Sequence, residues 1–126
     1  MKFLPQRPPR EFSVGTHGNI TLWDHGKILL DPNEQVTFQL AGGAEHDVTR
    51  KEWGLYATAS LNGRLEQSGL RGVLVKNKLT RRYFLLLVER GKEANFEEYC
   101  HTENLKTVAW LDSTRALQAL EQRVKA

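Results

Sequence analysis

The 126-residue sequence lacks most of the features that mark large classes of protein. Its single cysteine, Cys100, excludes an internal disulfide and leaves no cysteine pair for zinc. The longest apolar run, residues 83–88, is far shorter than the roughly 20 residues that cross a membrane. The glycines match neither a dinucleotide-binding nor a phosphate-binding loop, and no GxSxG nucleophile motif occurs. These absences argue against the large cofactor-dependent enzyme classes, and we expect no cofactor, no bound metal and no membrane partner.

The N-terminus holds three of the four prolines, at positions 5, 8 and 9. Prolines interrupt strand pairing and favour extended backbone, so residues 1–11 are predicted to form a flexible arm. Phe3 and Leu4 give this arm apolar surface, so the alternative is an arm that docks on a partner. No long apolar segment typical of a signal peptide follows Met1, which favours a cytoplasmic protein. Residues 12–126 have the size and composition of one globular domain.

Strand signals dominate the chain up to residue 89. Residues 20–23 and 28–30 flank a predicted turn at 24–27, and residues 35–40 alternate polar and apolar side chains. Residues 53–61 read as another strand, and Asn62-Gly63 is the dipeptide typical of a tight hairpin turn. Residues 70–75 and 81–89 predict a further hairpin. The run 84–88 has no alternation, which indicates a strand buried on both faces.

The last third adds helices. Phe96, Tyr99 and Cys100 share one face of a helix predicted over residues 93–101. A strand is expected at 107–111, and Asp112-Ser113 begins a closing helix with Leu117, Leu120 and Val124 on one side. The sequence therefore predicts an α+β domain: a mainly antiparallel sheet of six to seven hairpin-connected strands, followed by a strand-helix-strand-helix segment.

Charge is sharply zoned between residues 71 and 104. The hairpin segment 71–92 contains one acid, Glu89, and seven basic residues, which are Arg71, Lys76, Lys78, Arg81, Arg82, Arg90 and Lys92. Residues 93–104 contain acids and no lysine or arginine. Either the basic hairpin binds an anionic partner, or the acidic segment neutralises it. Lys76, Lys78, Arg81 and Arg82 are the candidates for nucleic-acid binding, although no RNA-binding sheet motif accompanies them.

The strongest candidate for acid–base chemistry is the run Glu45-His46-Asp47, because histidine titrates near neutral pH. In a strand, the two carboxylates would lie on the face opposite His46, so a partner such as Asp24 would have to come from elsewhere. The more ordinary interpretation is solvated polar surface. Cys100 lies on an apolar helix face and is expected to be inert.

A second group of residues mixes aromatic rings with hydrogen-bond donors, which suits a sugar or a small anionic ligand. Its members are Arg50, Trp53, Tyr56, Asn62, Arg64 and Arg71. The same residues also suit a plain core and hairpin tip. The leading hypothesis is an accessory or interaction module without catalytic signature. It would bind an unidentified protein or associate with itself through a sheet edge. An enzyme or small-molecule-binding protein is the alternative, and nucleic-acid binding the third.

Overall fold

The computed structural model describes residues 1–125, which form eight strands in antiparallel sheets and three helices. The predicted α+β class is confirmed, with antiparallel sheets and with helices toward the C-terminal part. No helix in this part of the chain is long and apolar enough to cross a membrane. The elements are β1 (Lys2–Val14), β2 (Ile20–Leu29), β3 (Gln35–Gln39), β4 (Glu45–Lys51), β5 (Gly54–Tyr56), α1 (Arg64–Gln67), β6 (Leu70–Asn77), β7 (Tyr83–Glu89), α2 (Glu93–Thr102), β8 (Leu105–Trp110) and α3 (Thr114–Val124).

The main core lies on one face of the sheet β7-β6-β8. Val73 and Val75 of the central strand β6 are fully buried, because α2 packs Phe96 and Cys100 against them. Trp110 of β8 meets the Phe96 ring edge-on at 5.7 Å. The predicted helix is therefore confirmed, and Phe96 and Cys100 of its predicted face are buried, whereas Tyr99 of that face is about half exposed. A helix covers this face because its apolar residues recur at the helical period.

A smaller core lies on the other face of this sheet. It includes α1, in the segment where the sequence predicted a strand and a hairpin turn. Strand β5 ends at Tyr56, and the chain then turns into α1, which buries Leu65. The prediction of a strand over 53–61 and a tight turn at Asn62-Gly63 is wrong. Ser60 holds the local turn instead, because its carbonyl accepts N–H groups of Gly63 and Leu65. The φ of Gly63 is −145°, outside the positive region that the predicted turn requires.

The N-terminal segment 1–11, predicted as a flexible arm, is part of a long hairpin. Strand β1 pairs with β2 from Lys2↔Leu29 to Val14↔Ile20. The pairing is irregular only between Pro5 and Arg10, so Pro8 and Pro9 fall where no ladder hydrogen bonds are needed. The turn predicted at 24–27 is wrong, since β2 runs through it. We call residues 2–29 the β1–β2 ribbon.

Two apolar segments are less covered than the sequence suggested. In β7, Phe84 and Leu85 are about half exposed, because the two cores cover only the other end of this edge strand. The expectation of burial on both faces is therefore wrong. Helix α3 begins as predicted, with the Ser113 side chain accepting the Ala116 N–H, yet it contributes no buried residue. Its apolar stripe ends in Val124, which is 75% exposed.

Candidate functional site

His46 lies in β4 opposite Phe38, and the two rings stack with centroids 6.2 Å apart. Its Nδ1 is buried without a hydrogen-bond partner. Asp47 points to the other face, where it accepts hydrogen bonds from Thr37 and Arg64. No carboxylate orients the His46 ring, and Glu45 makes no side-chain hydrogen bond among residues 1–125. Within those residues no three histidine, cysteine or acidic side chains are grouped as metal ligands.

The residues proposed for a sugar or anion site are brought together only in part. Tyr56 and Arg64 line a cavity of about 390 Å³ beside Asp47. The Arg64 guanidinium lies 3.0 Å from the Asp47 carboxylate, so its charge is already matched. The others diverge: Arg50 donates to the Leu30 carbonyl, Asn62 to Thr114, and Trp53 is 71% exposed in the β4–β5 turn.

Arg71 is a structural ion-pair centre. Its guanidinium donates to both Asp112 carboxylate oxygens and, at 3.2 Å, to Glu93. It also lies 4.0 Å from the centre of the Trp110 ring. The hydrogen bond from Arg71 holds the pKa of Asp112 below its ordinary value, against the opposing effect of burial. Arg71 therefore ties β6 to α2 and to the start of α3.

The basic tip of the β6–β7 hairpin is not neutralised by the acidic helix. Among the described residues, no ion pair forms at Lys76, Lys78, Arg81 or Arg82. The acids of α2 reach only the base of the hairpin, where Glu93 meets Arg71. Strand register places Lys106 of β8 directly beside Lys76. The tip thus carries clustered positive charge.

A pocket that the sequence did not indicate lies between the β1–β2 turn, the basic tip and α2. Its volume is about 540 Å³. Its lining is mostly apolar and includes Val14, Leu79, Phe84, Leu86 and Leu105, with Arg82, Asn77, Tyr99 and Glu103 as polar members. Residues 87 positions apart meet there, since the Thr16 N–H donates to Glu103 Oε1 at 2.8 Å. No local pattern could have revealed such a contact.

Glu103 is the most unusual residue of this pocket. It is 5% exposed, and it forms no ion pair in the part of the chain that the structure describes. The β1–β2 turn is fitted tightly around it: a Cβ at Gly15 would lie 2.7 Å from Glu103 Oε1. The same glycine has a φ of +97°, which other residues adopt only with strain. The turn therefore requires glycine next to this carboxylate.

The β1–β2 ribbon exposes apolar side chains on both faces. Successive strand residues point to opposite faces, and both Leu22 and Trp23 are exposed, as are both Ile28 and Leu29. Among the described residues, the side-chain hydrogen bonds and ion pairs between the ribbon segment and the rest of the fold lie near the ribbon's ends, at Thr16 with Glu103 and at the N-terminal ammonium with Glu34.

The exposed area of the whole chain is correspondingly large. It measures 9363 Å² for a mass of 14.4 kDa. A compact monomer of this mass exposes about 6,800 Å², so the excess is about 2,500 Å². A stable interface removes about 800 Å² per partner. The isolated chain thus leaves uncovered more surface than one ordinary interface would bury.

Comparison with protein-family models, with curated proteins and with solved structures finds no match to this chain.

Proposed function

We propose that this protein is an assembly module that associates with a second copy of itself through the β1–β2 ribbon. The observation that carries this proposal is the ribbon's exposed apolar surface on both faces. A two-stranded hairpin alone is marginally stable in water, and needs further strands or a packing surface. The remainder of the chain supplies no further strand, since the ribbon forms a separate two-stranded sheet within residues 1–125.

The outer edge of β2 is the surface best suited to pairing. The outer edge of β1 contains prolines at positions 5, 8 and 9, which lack the N–H groups that a new strand would need. Residues 20–23 of β2, Ile-Thr-Leu-Trp, contain neither proline nor charge, so nothing protects this edge against pairing. Antiparallel pairing of two β2 edges across a two-fold axis would give a four-stranded sheet.

The test is the mass of the full chain in solution, measured by light scattering at about 1–200 μM. We expect twice the monomer mass of 14.4 kDa. Trp23→Lys places a charge on the pairing edge and should weaken association at least tenfold. Trp53→Lys, an exposed tryptophan outside the ribbon, is the matched control and should leave the mass unchanged.

A monomer throughout this range, or equal effects of the two substitutions, would contradict the proposal. Amide exchange of wild-type protein gives a reading that does not depend on the variants folding. Protection of residues 20–23 should rise with protein concentration if the β2 edges pair.

Nucleic-acid binding through the basic tip is the second candidate. It is favoured by the charges of Lys76, Lys78, Arg81 and Arg82, which form no ion pair within residues 1–125. Exposed Tyr83 also favours it, with its ring 5.2 Å from the Lys76 ammonium. Binding of a single-stranded oligonucleotide should weaken with salt by about 0.7 log units per phosphate contact. Reversal of Arg81 and Arg82 to glutamate should abolish it, and salt-independent binding would argue against this interface.

A further inference from the structure

The pocket around Glu103 contains a buried carboxylate facing apolar walls. Glu103 Oε1 has one donor, the Thr16 N–H, and no hydrogen bond to Oε2 forms within residues 1–125. The carboxylate thus keeps the capacity to accept a charged donor from a ligand.

Arg82, an exposed residue, also lines this pocket, and Glu103 forms no ion pair with it. The Arg82 guanidinium makes no ion pair with any other described acid either. The two groups come from different elements, the end of α2 and the loop before β7. Within residues 1–125, the pocket therefore presents an acid and a base without ion-pair partners beside one apolar surface.

We propose that this pocket binds a small zwitterion with an apolar body, of the class of apolar α-amino acids. Such a ligand carries its ammonium and carboxylate groups two bonds apart, so it offers a donor to the acid and an acceptor to the base at the same time. The ammonium would donate to Glu103, and the carboxylate would accept from Arg82 in the fork geometry of a guanidinium. The side chain would lie against Phe84, Leu86 and Leu105.

The size and composition of the pocket agree with this ligand class. Small-molecule sites have volumes of about 300–1,000 Å³, with mostly apolar walls and a few convergent polar groups. The volume of about 540 Å³ exceeds that of one amino acid, which leaves room for a large side chain. The ligand proposal is independent of self-association, because it rests on Glu103 and Arg82 and not on the outer edge of β2.

Calorimetric titration of the full chain with L-leucine and with L-phenylalanine tests the proposal. We expect binding of at least one of them at millimolar concentration or below. N-acetyl-L-leucine lacks the ammonium, and L-leucinamide lacks the carboxylate, so each should bind at least tenfold more weakly than L-leucine. This analogue series needs only the wild-type protein.

Substitutions at Glu103 and Arg82 then test whether each of these two charges contributes to binding. Glu103→Gln keeps an oxygen that can accept from Thr16, yet it loses the charge and should weaken binding at least tenfold. Arg82→Gln should do the same, whereas Arg81→Gln, next to it but outside the lining, should not. The proposal is overturned if neither amino acid binds at 20 mM, or if both analogues bind as tightly as L-leucine. It is equally overturned if a folded Glu103→Gln protein binds like wild type.

Discussion

Replacing Arg71 by methionine tests whether the ion-pair centre stabilises the fold. Methionine keeps the apolar stem but removes the guanidinium that bonds Asp112 and Glu93 and covers the Trp110 ring. The Asp112 side chain is only 10% exposed, so it would be left largely buried without its cation. Glu93 is more exposed and can recover water.

The magnitude follows from the burial of the pair. Breaking a fully buried ion pair costs about 3–5 kcal/mol, and an exposed pair contributes about 1 kcal/mol or less. Arg71 is 25% exposed and Asp112 10%, which places this pair between the two limits. We expect Arg71→Met to lower the free energy of unfolding by about 2–3 kcal/mol at pH 7.

The loss should depend on pH in a defined direction. Because the pKa of Asp112 is lowered in the fold, the pair stabilises fully above the ordinary aspartate value of about 3.9. That stabilisation disappears as the pH falls through the lowered folded value. The difference between wild type and Arg71→Met should therefore shrink in strong acid, leaving about 1 kcal/mol from the lost contact with the Trp110 ring.

Urea unfolding at one fixed protein concentration, at pH 7 and again near pH 2, measures both quantities. Arg90→Met is the control, because Arg90 pairs with Glu66 on the surface, where both side chains are exposed, and should cost about 1 kcal/mol or less. A cost below about 1 kcal/mol for Arg71→Met at pH 7, or an equal cost at both pH values, would refute the reasoning.

Three further outcomes are expected. Leu65→Ala, at a side chain 1% exposed, should lower the free energy of unfolding by about 2–5 kcal/mol in urea titrations, whereas Leu85→Ala on the open part of β7 should cost far less. Gly15→Ala should lower the melting temperature more than Gly18→Ala, because both have positive φ but only the first meets a carboxylate 2.7 Å away. Cys100 should resist alkylation at pH 8 until the protein is unfolded, because burial raises the pKa of its thiol, and rapid labelling of the native protein would contradict this.

The local patterns with a regular period predicted the fold best. The face formed by Phe96 and Cys100, the cap at Ser113 and the β6–β7 hairpin are confirmed, because each depends on neighbours within a few residues. The Asn62-Gly63 dipeptide led to a wrong prediction because the Ser60 carbonyl accepts the N–H groups of Gly63 and Leu65, which strand pairing would have used. The pairing of the N-terminal segment was missed because prolines normally indicate that a segment is not a strand. Here the strand pairing is interrupted only between Pro5 and Arg10 and continues on both sides.

The candidate pocket could not be predicted, for a different reason. Thr16 and Glu103 come together through tertiary structure, so no spacing in the sequence relates them. The basic tip, by contrast, was visible as a charge cluster. What the sequence could not determine is whether α2 neutralises it, since that depends on which end of the hairpin the helix covers. In the structure, Arg71 at the base of the hairpin forms an ion pair with Glu93, and Arg82 at the tip forms none with a described acid.

The large exposed area and the exposed ribbon have a common physical origin. A domain is stable only when burial of apolar area offsets the conformational entropy of its ordered residues. Ordering the β1–β2 ribbon fixes 28 residues, 2–29, yet none of its side chains is fully buried. The two cores on the sheet β7-β6-β8 lie elsewhere and cannot offset that cost through their own packing. The proposed self-association would supply this stabilisation by covering ribbon surface, and the unprotected residues 20–23 provide the edge on which the two copies would pair.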